Sequence, residues 1–97
     1  MPVTHIVLVS WRDGEADRAE ELVRPLVTAF PQTIPDVLDV VEGRSTSPEG
    51  LEGEFDYLLV VTFASAQARD VYLDHPEHRP VAEAIGAYSD RVVVFDV

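Results

Sequence analysis

The chain switches between two hydrophobic periods. Val3–Trp11 is rich in β-branched residues and divides by parity into two rows, Val3/His5/Val7/Val9/Trp11 and Thr4/Ile6/Leu8/Ser10, both largely apolar. Asp13-Gly14 ends this strand. Residues 16–30 then place Leu22, Val23, Leu26, Val27 and Phe30 on a helical stripe with an acidic opposite side. Pro25 falls inside that stripe and predicts a kink, or a helix restarting there, because proline removes a backbone hydrogen bond and crowds the preceding turn. Pro31 and Pro35 bracket a corner before a second strand at 37–42, ended by Gly43, and the polar segment 45–53, with Pro48 and two glycines, is expected to be a mobile loop. Tyr57–Phe63 is a third strand, apolar in both rows. Ser65 can cap a helix running to about Leu73, a further helix is expected over 80–88, and 91–97 reads as the last strand, with Val92/Val94 opposite Val93/Phe95.

This order, β-α-β-β-α-β, predicts an α+β fold of the ferredoxin-like kind: one antiparallel sheet with helices on one face. Helices can cover only one face of such a sheet. Strands apolar on both faces therefore call for a second cover, and an identical sheet from another subunit supplies it, with Ile6, Leu8, Leu58, Val60, Val93 and Phe95 facing away from the helices. The expected assembly is a homodimer. Ninety-seven residues, 46% of them hydrophobic, make a single domain over 1–97, and a domain this small buries only a modest share of its surface alone.

Composition narrows the partners. Eighteen acids against seven arginines and no lysine give a formal charge of −11, which argues against nucleic acid or an anionic membrane. The acids are spread over 13–21, 49–56 and 77–83, the distribution of a solubilising surface rather than of one binding block. No cysteine is present, which excludes disulfides, thiolate metal sites and cysteine nucleophiles. With no leader-like amino terminus and no apolar run of membrane-spanning length, a cytoplasmic location is the expectation.

Two of the three histidines lie in Tyr72-Leu73-Asp74-His75-Pro76-Glu77-His78, together with a phenol. Imidazole and phenol move protons and donate hydrogen bonds near neutral pH. His75 precedes Pro76 and is pushed out of helical geometry, so the segment reads as a helix end, a corner and a new helix start. Such a corner can bring Tyr72 and His78 together, the imidazole as base and the phenol as donor to a developing oxyanion, while His75 bonds backbone at the turn. The competing reading leaves all three as packed or backbone-bonded residues. His75-x-x-His78 across a proline lacks the one-face geometry of a helical zinc pair, and no glycine-rich phosphate loop follows a strand; no metal and no cofactor are expected.

His5-Ile6-Val7-Leu8, Ile34-Pro35, residues 55–63, the Tyr72 to His78 corner with its His-Pro-x-His, and Val93-Val94-Phe95-Asp96 together resemble the stress-responsive dimeric α/β-barrel (Dabb) family along nearly the whole chain. The resemblance implies a dimeric α/β barrel, and its polyketide cyclases imply cofactor-free acid–base chemistry with Tyr72 and His78 catalytic and His5 lining the pocket. Strand parity combined with the family's helix placement extends that pocket to Val7, Leu59, Val61, Val92 and Val94, with Val23 and Val27 from the first helix. Two function classes follow: a small enzyme acting on an apolar carbonyl compound, of cyclase or isomerase type, and a non-catalytic dimeric ligand-binding or stress-responsive protein of the same fold.

Overall fold

All 97 residues are described by the structure, a computed structural model. The chain runs β1 (Val3–Trp11), α1 (Ala16–Thr28), α2 (Phe30–Thr33), β2 (Val37–Gly43), β3 (Tyr57–Phe63), α3 (Ala66–Asp74), α4 (Arg79–Tyr88) and β4 (Ser89–Asp96). The four strands form one antiparallel sheet in the order β2-β3-β1-β4, the ferredoxin-like arrangement, with the second helical region split in two. No helix is long and apolar enough to cross a membrane.

The later helices have local reasons to begin where they do. In α3 the Ser65 hydroxyl accepts the Ala68 N–H at 3.1 Å, satisfying one of the donors that a helix start leaves free. Pro80 sits in the first turn of α4, where its missing N–H costs nothing. Gly14, at φ +79°, turns the chain out of β1 in a left-handed conformation that a side chain disfavours. Pro25 does not end α1, which runs through it to Thr28; the restart falls instead at Phe30, with Pro31 in the first turn of α2. Ala19, Val23 and Val27 recur every four residues, and burying that stripe holds the helix across the proline.

The core lies between the helices and one face of the sheet. Val9, Trp11, Tyr57, Leu59, Val61 and Phe63 pack there against Ala19, Val23, Val27, Phe30, Tyr72, Val81 and Ile85. Two carboxylates penetrate its edge. Glu20 is buried and accepts the Trp11 indole N–H at 3.0 Å and the Arg44 guanidinium at 3.0 Å, while Glu42 accepts the Tyr57 hydroxyl at 2.8 Å and Arg24 at 3.1 Å. Buried charge is tolerated only when paired and hydrogen-bonded, and no enclosed side-chain nitrogen or oxygen lacks a partner. Through Arg44 and Arg24 these bonds also clamp α1 to β2 and to the start of the loop at 44–56.

The opposite face of the sheet has no helix. Residue pairing across it gives two apolar rows, Val41-Val60-Ile6-Phe95 and Leu58-Leu8-Val93. Phe95 is 64% exposed and Val41 54%. The six residues expected to face away from the helices all lie in these rows.

Stability should rest on the covered face. Phe63→Ala is expected to cost about 3–5 kcal/mol by removing a fully buried ring, and Ser65→Ala about 1 kcal/mol through the lost cap. Urea denaturation of both variants, with unchanged dependence on denaturant concentration, checks the order: a Ser65→Ala effect as large as that of Phe63→Ala would contradict this account of the core.

Candidate active site

Pro76 forbids one helix from Ala66 to Tyr88, because a continued helix would drive its ring against the Tyr72 carbonyl and leave that group without its donor. The chain resolves the carbonyls stranded at the end of α3 one by one. The Tyr72 carbonyl accepts the His75 N–H at 3.0 Å, the Leu73 carbonyl takes Nδ1 of His78 at 3.2 Å, and the Asp74 carbonyl takes the Arg79 guanidinium at 3.3 Å. His75 occupies the turn, its Nδ1 accepting the Glu77 N–H at 3.1 Å and its carbonyl the His78 N–H at 3.0 Å. His78 is thus carried back over Tyr72, the ring centroids 4.3 Å apart.

The bond to Leu73 fixes the chemistry of His78. A carbonyl only accepts, so Nδ1 must carry the proton, and in the neutral ring Nε2 keeps a free lone pair. Burial lowers the pKa of His78; the Leu73 carbonyl partly offsets this and the neighbouring His5 adds to it. The ring is therefore neutral at pH 7. Tyr72 shifts the other way: burial raises its hydroxyl well above the ordinary phenol range and keeps it protonated. Its ring is only 1% exposed, boxed by Phe63 at 4.8 Å, Phe30 at 5.4 Å and His5 at 5.8 Å. The hydroxyl makes no hydrogen bond within the chain.

His5 joins this group from the sheet. β1 and β4 pair in antiparallel register with His5 opposite Asp96, and His5 Nδ1 donates to the Asp96 carboxylate at 2.6 Å. Burial alone would raise the Asp96 carboxyl, but the hydrogen bonds from Arg69 and His5 outweigh it and hold the group below its ordinary value. Arg69 bonds Asp96 at 2.9 Å and Asp70 at 3.0 Å. Asp96 and Arg69 are not among the site residues expected from the sequence; the signal available was the aspartate closing β4 at the parity of Val92 and Val94, one strand from His5.

A cavity of about 580 Å³ lies between the sheet and α3 and α4, with His5, Val7, Leu59, Tyr72 and His78 among its lining residues. Val92 and Val94 line it from β4, the edge strand, where they are half-exposed. Val23, Val27 and Val61 do not line it: all three are wholly inaccessible within the packed core. Parity and helical spacing locate the covered face of the sheet, but not which end of that face the helices leave open. His75 lies outside the cavity lining, and no cluster of three or more histidine, aspartate or glutamate side chains is arranged to hold a metal ion.

Known proteins share this architecture. The chain is 22% identical over 96 residues to olivetolic acid cyclase of Cannabis sativa, covering 99% of this chain and 95% of the cyclase. It is 29% identical over 96 residues to the stress-response A/B barrel domain-containing protein HS1 of Arabidopsis thaliana, covering 98% and 87% respectively. Among solved structures, a dimeric ferredoxin-like protein of unknown function from Jannaschia sp. superposes with a TM-score of 0.90 at 19% identity, covering 100% of this chain and 98% of the other. A hydroxynitrile lyase from Passiflora edulis gives 0.86 at 16% identity, covering 99% and 91%. The family model of the stress responsive A/B barrel domain matches residues 3–97, and with the four-stranded sheet and split second helix that match makes this chain a member of the Dabb family.

Proposed function

We propose that this protein is a small cofactor-independent enzyme that uses acid–base catalysis on an apolar carbonyl compound, most concretely a polyketide-type cyclase or an isomerase, working as a cytoplasmic homodimer. The observation that carries this reading is an imidazole whose Nδ1 is bonded to a backbone carbonyl and whose Nε2 is free, its ring centroid 4.3 Å from that of the Tyr72 phenol, at one wall of a largely apolar cavity. The likeness to olivetolic acid cyclase along 99% of the chain supports the same class.

The chemistry follows from the two side chains. His78 Nε2 takes a proton from the carbon beside a bound carbonyl; as that C–H bond breaks, its electron pair moves onto the carbonyl oxygen. The Tyr72 hydroxyl donates a hydrogen bond to the oxyanion. In a cyclase the resulting carbon nucleophile attacks a second carbonyl of the same substrate; in an isomerase the imidazolium returns its proton at another carbon. His5, with Nδ1 held by Asp96, lies in a T-shaped arrangement with Tyr72 and completes the polar part of the wall. The apolar part of the lining lowers the local polarity, which strengthens each of these electrostatic contacts.

The dimer is supported by the uncovered apolar rows and by dimeric neighbours of the same fold. Apolar surface removed from water stabilises by about 25 cal/mol per Å², and a sheet face of this kind is costly to leave wet on so small a domain.

Three outcomes are expected. With a turned-over carbonyl substrate, Tyr72→Phe and His78→Ala should each reduce kcat/KM by about 10²–10⁴ while the fold persists, whereas His75→Ala should lower stability and spare turnover; full activity in both of the first two would leave the pocket to a binding protein. Because the pKa of His78 lies below its ordinary 6.5, kcat/KM should fall only at pH values under 6.5, as the base takes up a proton, and stay level through neutrality; an acidic limb centred above 6.5 would exclude His78 as the base. Sedimentation equilibrium should return twice the 10.7 kDa of one chain, and Phe95→Asp should shift the population to monomer. A folded monomer at micromolar concentration in the parent protein would refute the assembly.

A further inference from the structure

Gly86 lies within the last turn of α4, ahead of its C-cap, and lines the cavity. Glycine is among the least favourable residues at a helical position, behind only proline, so its presence there calls for a local reason. The two usual reasons are absent. Gly86 is not among the residues with positive φ, and a Cβ built on it meets no atom within 4 Å. Neither the backbone nor packing against a neighbouring element requires glycine. What the missing side chain leaves is room in the cavity.

The rest of that wall agrees. Ala82 lies one helical turn before Gly86 and also lines the cavity, so α4 presents two small, exposed residues on one strip beside the buried Val81 and Ile85. Val92 and Val94 share one face of the edge strand and line the same space, both exposed. On the α1 side the cavity is closed: Val23, Val27 and Val61 have no accessible surface and Phe30 and Phe63 are nearly as enclosed. A molecule whose carbonyl reaches Tyr72 and His78 finds, away from α1, the trough between the Ala82/Gly86 strip and Val92/Val94 open to the rest of its length.

We infer that Gly86 is a specificity-determining residue, and that with Ala82 it keeps open an apolar trough for an extended, unbranched chain attached to the reacting carbonyl. This rests on the reading of the cavity as a substrate site. It adds where the chain lies and which position sets how much of it is accepted.

Linear methyl ketones from 2-hexanone to 2-decanone are suitable probes, because they are neutral and the −11 charge of the protein does not bias their binding. Calorimetric titration of the parent protein should show affinity rising with length, by up to roughly fourfold for each methylene that becomes buried. In Gly86→Leu the gain should stop early, with 2-decanone weakened at least tenfold and 2-hexanone within about twofold of the parent. Gly86→Ala should melt at a higher temperature than the parent and weaken 2-decanone about threefold; if Gly86→Leu does not fold, this variant decides the matter. Equal dependence on chain length in the parent and the Gly86 variants, or no dependence in the parent, would overturn the assignment. The catalytic pair is judged separately. A shortened chain preference in Gly86→Leu with full turnover in Tyr72→Phe and His78→Ala supports the trough and removes the pair, and an unaltered preference with turnover abolished in those two removes the trough and keeps the pair.

Discussion

The placement of Tyr72 and His78 depends on one steric constraint, the proline ring at position 76. Without it, a helix begun at Ser65 could continue with ordinary i to i−4 bonds, which would consume the Leu73 carbonyl on the Glu77 N–H and set Tyr72 and His78 about one and two-thirds turns apart on different faces. The break strands that carbonyl, and His78 fills the vacancy. A defect of backbone hydrogen bonding is thereby converted into the fixed tautomer of a side chain. The same bond holds the imidazole against Tyr72 without a carboxylate partner, so His78 is not one half of an ion pair, and burial favours its neutral form.

The cavity holds two imidazoles in contrasting surroundings. His78 is bonded to a neutral carbonyl and is destabilised as a cation by burial, whereas His5 faces a carboxylate that Arg69 steadies from the far side. Tyr72 lies between the two, and the burial that favours a neutral imidazole also favours a neutral phenol. One apolar enclosure sets both protonation states.

Strand identity, sheet class and the corner were legible because each rests on a local pattern: parity within β1 and β3, a proline after a histidine, a serine before a helix. Long-range facts were less so. The pairing of His5 with Asp96 depends on the register between the first strand and the last, and a shift of one residue would have turned that carboxylate to the other face. Val61 shares parity with the cavity residue Leu59, and Val23 and Val27 share a stripe on α1, yet all three are wholly buried outside the cavity lining, a matter of where the helices rest on a twisted sheet. Pro25 shows the same limit from the opposite side. Its local rule predicts an interrupted helix, yet the buried stripe Ala19, Val23, Val27 carries α1 through it. The bonds of Glu20 to Trp11 and Arg44 join positions from three separate elements, and no single window of sequence contains them.

Trp11, the one tryptophan of the chain, lies six residues from His5 on the same strand, about 20 Å away at the rise of an extended chain. Its indole is buried, bonded to a carboxylate through N–H and stacked near Tyr57, and it is not part of the cavity lining. Intrinsic fluorescence will therefore follow loosening of the β1–α1 contact faithfully and take little notice of a guest beside Tyr72. A flat emission trace during a titration would describe the position of the fluorophore, not the emptiness of the cavity.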